Sequence, residues 1–522
     1  MSEAVGSSFV ALDEAAILSI LSCISDTRQR AQLSSVNRLW HECVRTAWTA
    51  IDLRLTRAGY SDQEVRHWLS RQLPYGARAL QRLHLGFAGV CQGGAAIAFI
   101  KEAARFEGLH FLHLSSWQPV SGLLVEQEDL RALQGLQALQ ELSVACRYRH
   151  SSTSDDDAQQ ACHQAGFWPA LRSLSLSLSA DGSSAIGQLT PWLDAAIRGS
   201  SQLECIQLAG AVFDPPLDLP HLKQASFKLY ACAKWPLAGG CPITSVRLEM
   251  WSSFLDPIPS FHCLREYTDF TCWPLWTAAH MRGRLVPLQN LACLHLECYN
   301  ASAQDTSLAE FAELPALTSL DLGIGPDFLG HRIELSPTLT RLRSLRLGNM
   351  LHPSLQELML PAALPRLETL NVWSEVAPSL GTATPALTAL RLQDYGGFGS
   401  LHHKLGLSAC HKLQHASLTL AWPPSIAHEL QHLRACSALR ELCLTITRPA
   451  PCHAPGQGIL EGDFEAATYL LGTLAQMPAL RCLSLGIGAA AITLSCIQDP
   501  SSPGYIIQEV DLGNLVWHGR ST

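Results

Sequence analysis

The apolar residues of this chain recur in one short frame. In LTSLDL, Leu317, Leu320 and Leu322 are separated by two residues and then by one. The same L-x-x-L-x-L spacing returns in LRSLRL at Leu342, LETLNV at Leu367, LTALRL at Leu387, LRELCL at Leu439 and LRCLSL at Leu480. Earlier copies are LQRLHL at Leu80, LHFLHL at Leu109, LQELSV at Leu139, LRSLSL at Leu171 and LECIQL at Leu203, and weaker ones open at Leu222, Ile243, Leu291, Leu413 and Ile507. Leu264 opens a degenerate copy, LREYTD, in which Asp269 replaces the last apolar residue. The alternation at the end of the frame has a period of two, so each copy predicts a short strand with every second side chain turned inward. One strand with its return cannot bury its own apolar edge, and neighbouring copies must therefore stack.

The frame, repeated in steps of about 19 to 32 residues, resembles the leucine-rich repeat. The resemblance implies an α/β solenoid over residues 48–522, an arc of about 18 irregular repeats with parallel strands on its concave side. Apolar residues at helical spacing predict return helices over 62–72, 95–106 and 123–136, as in the ribonuclease-inhibitor-like class. Between Ala211 and Trp276, Pro215, Pro216, Pro236, Pro242, Pro257, Pro259 and Pro274 break helices, and extended returns are expected. The polar run HSSTSDDD (150–157) and the Pro- and Gly-rich TRPAPCHAPGQG before Leu480 read as loops. Many such repeats place Asn or Cys three residues after the last leucine, where it bonds neighbouring backbones. Here Trp117, Trp251, Tyr299 and Tyr395 or small residues stand there, so a less regular curvature is expected.

The leading residues have a different period. Residues 1–10 are small and polar and are expected to be disordered. Over residues 11–47, Leu12, Ile17, Ile20, Leu21 and Ile24 recur at helical spacing. A second helix, capped by Asp26 with Gln29, turns Leu33 and Val36 inward, and a third carries Trp40 and Val44. Leu12, Ile20-Leu21, Ile24, Val36 and Trp40 resemble the F-box pattern, although Asp13 stands where the family usually has proline. The segment runs straight into WTAIDLRL, a first strand like that of F-box proteins with repeats. That resemblance implies that Leu12, Ile17, Ile20, Leu21, Ile24, Leu33, Val36 and Trp40 bind the Skp-family adaptor of a cullin-RING ubiquitin ligase, while the repeats hold a target protein. The alternatives are a helical cap on the solenoid and a leucine-rich scaffold of the cytoplasm or cytoskeleton, cilium or axoneme included, without a ligase role.

Composition narrows the setting. The chain has 522 residues, 47% of them hydrophobic, and a formal charge of -8, which gives no ground for nucleic-acid or anionic-membrane binding. No basic start leads into an apolar run and no stretch of about 20 uncharged apolar residues occurs, so neither a signal peptide nor a membrane span is expected. The 18 cysteines are scattered without a C-x-x-C pair, which suits reduced thiols in the cytoplasm or nucleus.

Two motifs mimic enzymes. His428, Glu429 and His432 form H-E-L-Q-H, the zincin spacing, but the stripe Ile426, Leu430 and Leu433 turns both histidines outward on a return helix. Gly486, Gly488 and Ala491 mimic a dinucleotide fingerprint, yet LGIG also follows the strand at Leu317, where it is a repeat feature. Neither catalysis nor a metal or cofactor is expected. The functional surface is instead the residue between the second and third leucines, which points away from the core. Arg247, His295, Arg346 and Arg391 occupy it in the middle of the chain, with Asp321 and Asn371 among them and Arg265 and Arg343 just after the first leucines. A local basic stripe on an acidic chain suggests an acidic or phosphorylated partner, the alternative being ordinary solvated polarity.

Overall fold

The computed structural model describes, before residue 50, only Ile17, Ile20, Gln29, Gln32, Leu33, Leu39 and Cys43. From residue 50 it describes the strands and most turns leading into them, while residues 56–79, 88–98, 117–126, 149–166, 271–284, 300–310, 394–406, 422–432, 448–476, 512–522 and several shorter stretches lie outside the described residues. The return helix expected over 62–72, both loops and His428, Glu429 and His432 fall there, as do Leu12, Leu21, Ile24, Val36 and Trp40. The chain divides into two compact units, Met1–Glu249 with Phe254–Phe261, and Met250–Ser253 with His262–Thr522.

In the first unit β1 (Ala50–Leu55), β2 (Arg82–Phe87), β3 (Phe111–Ser116), β4 (Glu141–Tyr148), β5 (Ser173–Ala180), β7 (Cys205–Ala209) and β9 (Gln224–Leu229) pair in parallel, each with the next. Strand β10 (Ser245–Met250) pairs with β9. On the return side β6 (Gly187–Gln188) pairs with β8 (Ala211–Val212). Helical returns occupy residues 99–103, a 3-10 segment Gln127–Gly135, and α1, Pro191–Gly199.

In the second unit β11 (Glu266–Asp269), β12 (Cys293–Tyr299), β13 (Ser319–Ile324), β15 (Ser344–Met350), β17 (Thr369–Ser374), β19 (Ala389–Gln393), β20 (His415–Ala421), β21 (Glu441–Thr447) and β22 (Cys482–Ile487) form the same kind of parallel run. Its return side carries a second small parallel sheet, β14 (Arg332–Glu334), β16 (Glu357–Met359) and β18 (Pro378–Ser379). The fold is a leucine-rich-repeat solenoid. The class of its returns is mixed, helical at residues 99–103, Gln127–Gly135 and α1 of the first unit and extended where β6, β8, β14, β16 and β18 lie.

The inner strands pair core residue on core residue, most of them leucine on leucine, with Ile51, Ile206, Ala225, Tyr267 and Ala416 among the exceptions. Leu320, Leu345, Leu370 and Leu390 are successive partners, and each is buried. Because side chains alternate, this register also stacks the third leucines beside the second, and the first leucines, in the turns that lead into the strands, are buried with them. A fourth core position precedes the frame by three residues, and the amide of the first leucine donates to its carbonyl. Leu109 donates to Phe106, Leu171 to Trp168, Leu317 to Leu314, Leu367 to Leu364 and Leu439 to Cys436, and all of these residues are buried. The turn thus closes over its own core residue before the strand begins.

At the mouth of each strand one carbonyl accepts two amides from the following coil. His110 and Phe111 both donate to the Gln81 carbonyl at 2.8 and 2.9 Å, and Gln140 and Glu141 to that of His110 at 2.8 and 2.9 Å. The second unit repeats the arrangement: Thr318 and Ser319 donate to Ala292, Arg343 and Ser344 to Thr318, Gln414 and His415 to Thr388, and Arg481 and Cys482 to Arg440. This main-chain ladder sits at the start of the strand, where no particular side chain is required.

The degenerate copy is accommodated by a buried polar pair. Asp269, on β11 in place of a leucine, is buried and accepts a hydrogen bond from the hydroxyl of buried Tyr267 at 3.1 Å. Without such a donor the carboxylate would cost several kcal/mol to bury.

The last copy differs from expectation. Strand β23 (Ala490–Ile497) runs antiparallel to β22, and β24 (Gly504–Asp511) antiparallel to β23. The copy at Ile507 is therefore the last strand of a meander and not another coil. The same pairing places Gly486 in a strand opposite Ala491, and not before the helix that a phosphate loop needs.

In the other LGIG, a Cβ on Gly323 would come within 2.1 Å of the Glu297 carbonyl oxygen, next to the register shift of β12, whereas at Gly348 the nearest atom is 4.0 Å away. Gly323→Ala is expected to destabilise the protein by about 1–3 kcal/mol through overpacking, and Gly348→Ala to change it by less than about 0.5 kcal/mol. Urea melts of the two variants compare them directly.

Candidate interaction surface on the strand face

With the leucines turned in, the residue between them is turned out, and strand pairing lines these residues into rows. In the first unit Asp52, His84, His113, Ser143, Ser175, Gln207 and Ser226 are successive register partners. In the second the row runs Thr268, His295, Asp321, Arg346, Asn371, Arg391, Ser417, Cys443 and Ser484. The predicted basic stripe is thus divided. Exposed Arg247 lies on β10 of the first unit, and the other members belong to the second.

Within the second unit the row is not a free cationic strip. Asp321 lies between two of its bases and engages both: Nδ1 of His295 meets its Oδ2 at 2.6 Å, and Arg346 approaches the same oxygen at 3.5 Å. Asp321 is 21% exposed and His295 27%, so this pair is better shielded than a surface salt bridge, whereas Arg346, at 45%, stays in water. The ring of Phe270 packs 4.8 Å from that of His295. The Arg346 guanidinium lies 5.3 Å over the Trp373 ring, and Trp373 Nε1 donates to Oδ1 of Asn371 at 3.0 Å. Arg343, at the strand mouth, pairs with Glu368 at 3.6 Å in full solvent contact. The side chains of Arg265 and Arg391 are exposed and make no ion pair or hydrogen bond among the described residues. The spacing of the bases was legible in the sequence. What it could not reveal was that Asp321, read among them, engages both His295 and Arg346, which the packing of the three side chains decides.

Beyond the aromatic end, the outward residues become short. Ala389, Ser417, Cys443 and Ser484 leave an open trough of about 390 Å³ across β17, β19, β20, β21 and β22, with Asn371 and Arg391 at one end and the His415–Glu441 pair, 2.9 Å apart, on its wall. Side-chain length, and not any motif, is the signal that could have located it.

The first unit holds a serine–histidine–aspartate chain. His84 Nδ1 lies 3.1 Å from Asp52, and its Nε2 lies 3.1 Å from the hydroxyl of Ser115. His84 is 35% and Asp52 47% exposed, so the chain lies in water, where it lacks the desolvated walls that acyl transfer requires. The His113 ring stands edge-on to His84 at 4.6 Å. Partial burial of its ring, followed by the like charge of His84, holds the His113 pKa below the ordinary 6.5, against the opposing pull of Glu141 and Asp52.

Among the described residues the cysteines form no disulfide, and those of the second unit's core and surface differ. Cys410 and Cys436 occupy the fourth core position. Cys436 donates to the Leu407 carbonyl at 3.4 Å, and burial, reinforced by Cys410, pushes its pKa up to about 12. Cys443 and Cys482 lie half-buried on the trough, and Cys263 is exposed. Among the described residues no cluster of His, Cys, Asp and Glu could hold a metal ion, and no helix is long and apolar enough to cross a membrane.

No family model matches the chain. A search of curated proteins gives no match either. Among solved structures the chain is similar to a leucine-rich-repeat protein of Leptospira interrogans, over 82% of this chain and 95% of the other, at 16% identity and a TM-score of 0.36. It is also similar to a chain of the mouse RP105/MD-1 complex, over 80% of this chain and 84% of the other, at 12% identity and a TM-score of 0.30. At that distance neither likeness bears on what this chain binds.

Two outcomes are expected here. On limited alkylation of native protein at pH 7.5, peptide mass spectrometry should find Cys263, Cys443 and Cys482 modified well before Cys410 and Cys436, whose thiols are buried and protonated. In an NMR titration His113 should protonate below pH 6.5, higher in His84→Ala and lower in Asp52→Asn. Because the unfolded chain takes up that proton first, stability should rise with pH between the folded pKa of His113 and 6.5, and be lost as pH falls through that window.

Proposed function

We propose that this protein is a binding scaffold, a rack of leucine-rich coils whose outer strand face holds a protein partner, and that it serves as the substrate-recognition subunit of a cullin-RING ubiquitin ligase. In this reading residues 12–48 grip the Skp adaptor, the repeats hold the protein to be ubiquitinated, and other subunits supply the catalysis. The sequence resemblance at Leu12, Ile20-Leu21, Ile24, Val36 and Trp40 supports it, as does the solenoid that follows directly.

The observation that carries it is one of exposure. Ile20 and Leu39, at 39% and 38%, are the exposed large hydrophobic residues among those described, and both belong to this leading segment, in helical conformation. Ile17 and Cys43 are buried and Leu33 is half-buried. A segment with Ile17 and Cys43 inward and Ile20 and Leu39 outward is suited to a protein contact, as isolated caps need no apolar outer face.

The test is capture by purified Skp adaptor. Full-length protein should be retained, and deletion of residues 1–47 or Ile20→Asp should remove retention while the thermal melt of the repeats is unchanged. Retention of the deleted chain, or none of the full-length chain, defeats the ligase role and leaves a scaffold without one.

A further inference from the structure

We infer that the trough over β17, β19, β20, β21 and β22 seats an extended segment of the partner protein, with a carboxylate or phosphate between the guanidinium of Arg391 and the amide of Asn371. The inference rests on the reading of the strand face as a protein-binding surface and specifies what that surface takes.

Charge decides the anionic end. Arg346 and His295 are engaged with Asp321 and Arg343 with Glu368, while Arg265 lies at the mouth of β11, outside the residues that line the trough. Arg391 is exposed and lines the trough, and its guanidinium has no partner among the described residues. Its register partner is Asn371, on the adjacent strand about 4.8 Å away. Trp373 Nε1 occupies the amide oxygen of Asn371, which fixes that group and leaves its two N–H donors available. A guanidinium and an amide N–H₂ side by side can bracket a single oxyanion, and such charge-assisted bonds are the strong ones.

Shape decides the rest. The floor of Ala389, Ser417 and Cys443 carries short side chains, so an extended segment can lie along it. Five strands span roughly 19 Å, the length of about six extended residues. At the far wall the Glu441 carboxylate already accepts from His415, so it does not compete for Arg391.

The experiment uses full-length protein and fluorescein-labelled decapeptides that share an Ala/Ser/Val frame and differ at one central position, Asp, phosphoserine, Ser or Lys, with binding read by anisotropy. The Asp or the phosphoserine peptide is expected to bind, and which of them does identifies the anion. Arg391→Gln should weaken that binding about ten- to hundredfold without changing the Ser and Lys peptides. Asn371→Ala should weaken it less, and Ser417→Trp, at an outward position, should abolish it. Thermal melts verify that the variants are folded. Unchanged affinity in Arg391→Gln, equal binding of the Lys peptide, or no binding of any peptide overturns the inference. So does competition by inorganic phosphate or free aspartate at the peptide's own concentration, which marks a small-anion site. Proximity labelling in cells separates the two levels. Partners retained by Arg391→Gln with Ser417→Trp refute the trough and leave the scaffold standing, whereas a wild-type chain that labels no partner removes the scaffold reading itself.

Discussion

The whole architecture depends on one repeated backbone contact, the carbonyl at each strand mouth that accepts two amides from the next coil. A shared acceptor fixes both where the following strand starts and how it is turned, because two successive N–H groups must point at one oxygen. With the start fixed, period-two alternation does the rest, sending the second and third leucines inward and the residue between them outward. The ladder is built of main chain alone. Its acceptors belong to Gln81, His110, Gln140, Arg172, Ala292, Thr318, Arg343 and Arg440 among others, with no common side-chain chemistry. That is why coils lacking the asparagine or cysteine bond found in many such repeats still hold a regular register in both units.

Hydrophobic stacking supplies the driving force that this contact directs. Leucines that follow one another through the strands exclude water on both sides, and each contributes about 1.5–3 kcal/mol on burial. The column three residues earlier accepts more variety: Phe106, Trp168, Leu314, Thr384, Cys410, Cys436 and Met477 are all buried there. The turn that closes over this column uses its carbonyl and tolerates any side chain that fills the space. Polar members find partners, as Ser200 does by donating to Ala196 in α1 at 2.8 Å.

Legibility in the sequence followed this division. The strands at Leu317, Leu342 and Leu367 were readable because burial imposes a spacing, and even the weak copies at Leu222, Ile243 and Leu413 proved to be inner strands. The column before the frame escaped notice because variable residues occupy it. Strand direction was not readable either, since IQEVDL has the repeat spacing although it belongs to an antiparallel meander; alternation is the same in both directions. On the outer face the identities of Arg346, Arg391 and Asn371 were visible, but their engagement was not. Asp321 engages one arginine and not the other through side-chain packing, and a run of short side chains makes a trough only once strands are set side by side.

The return between β21 and β22 is longer than that between any other inner strands of the second unit, yet Glu441 still lies opposite Cys482 and Ile446 opposite Ile487. Closing a longer excursion costs little, since the entropy grows only with the logarithm of its length. Coil-by-coil construction therefore separates growth from alignment. Material can be added at the rim of a turn without disturbing the neighbours, so this protein can acquire an additional appendage there while its inner rows keep their pairing.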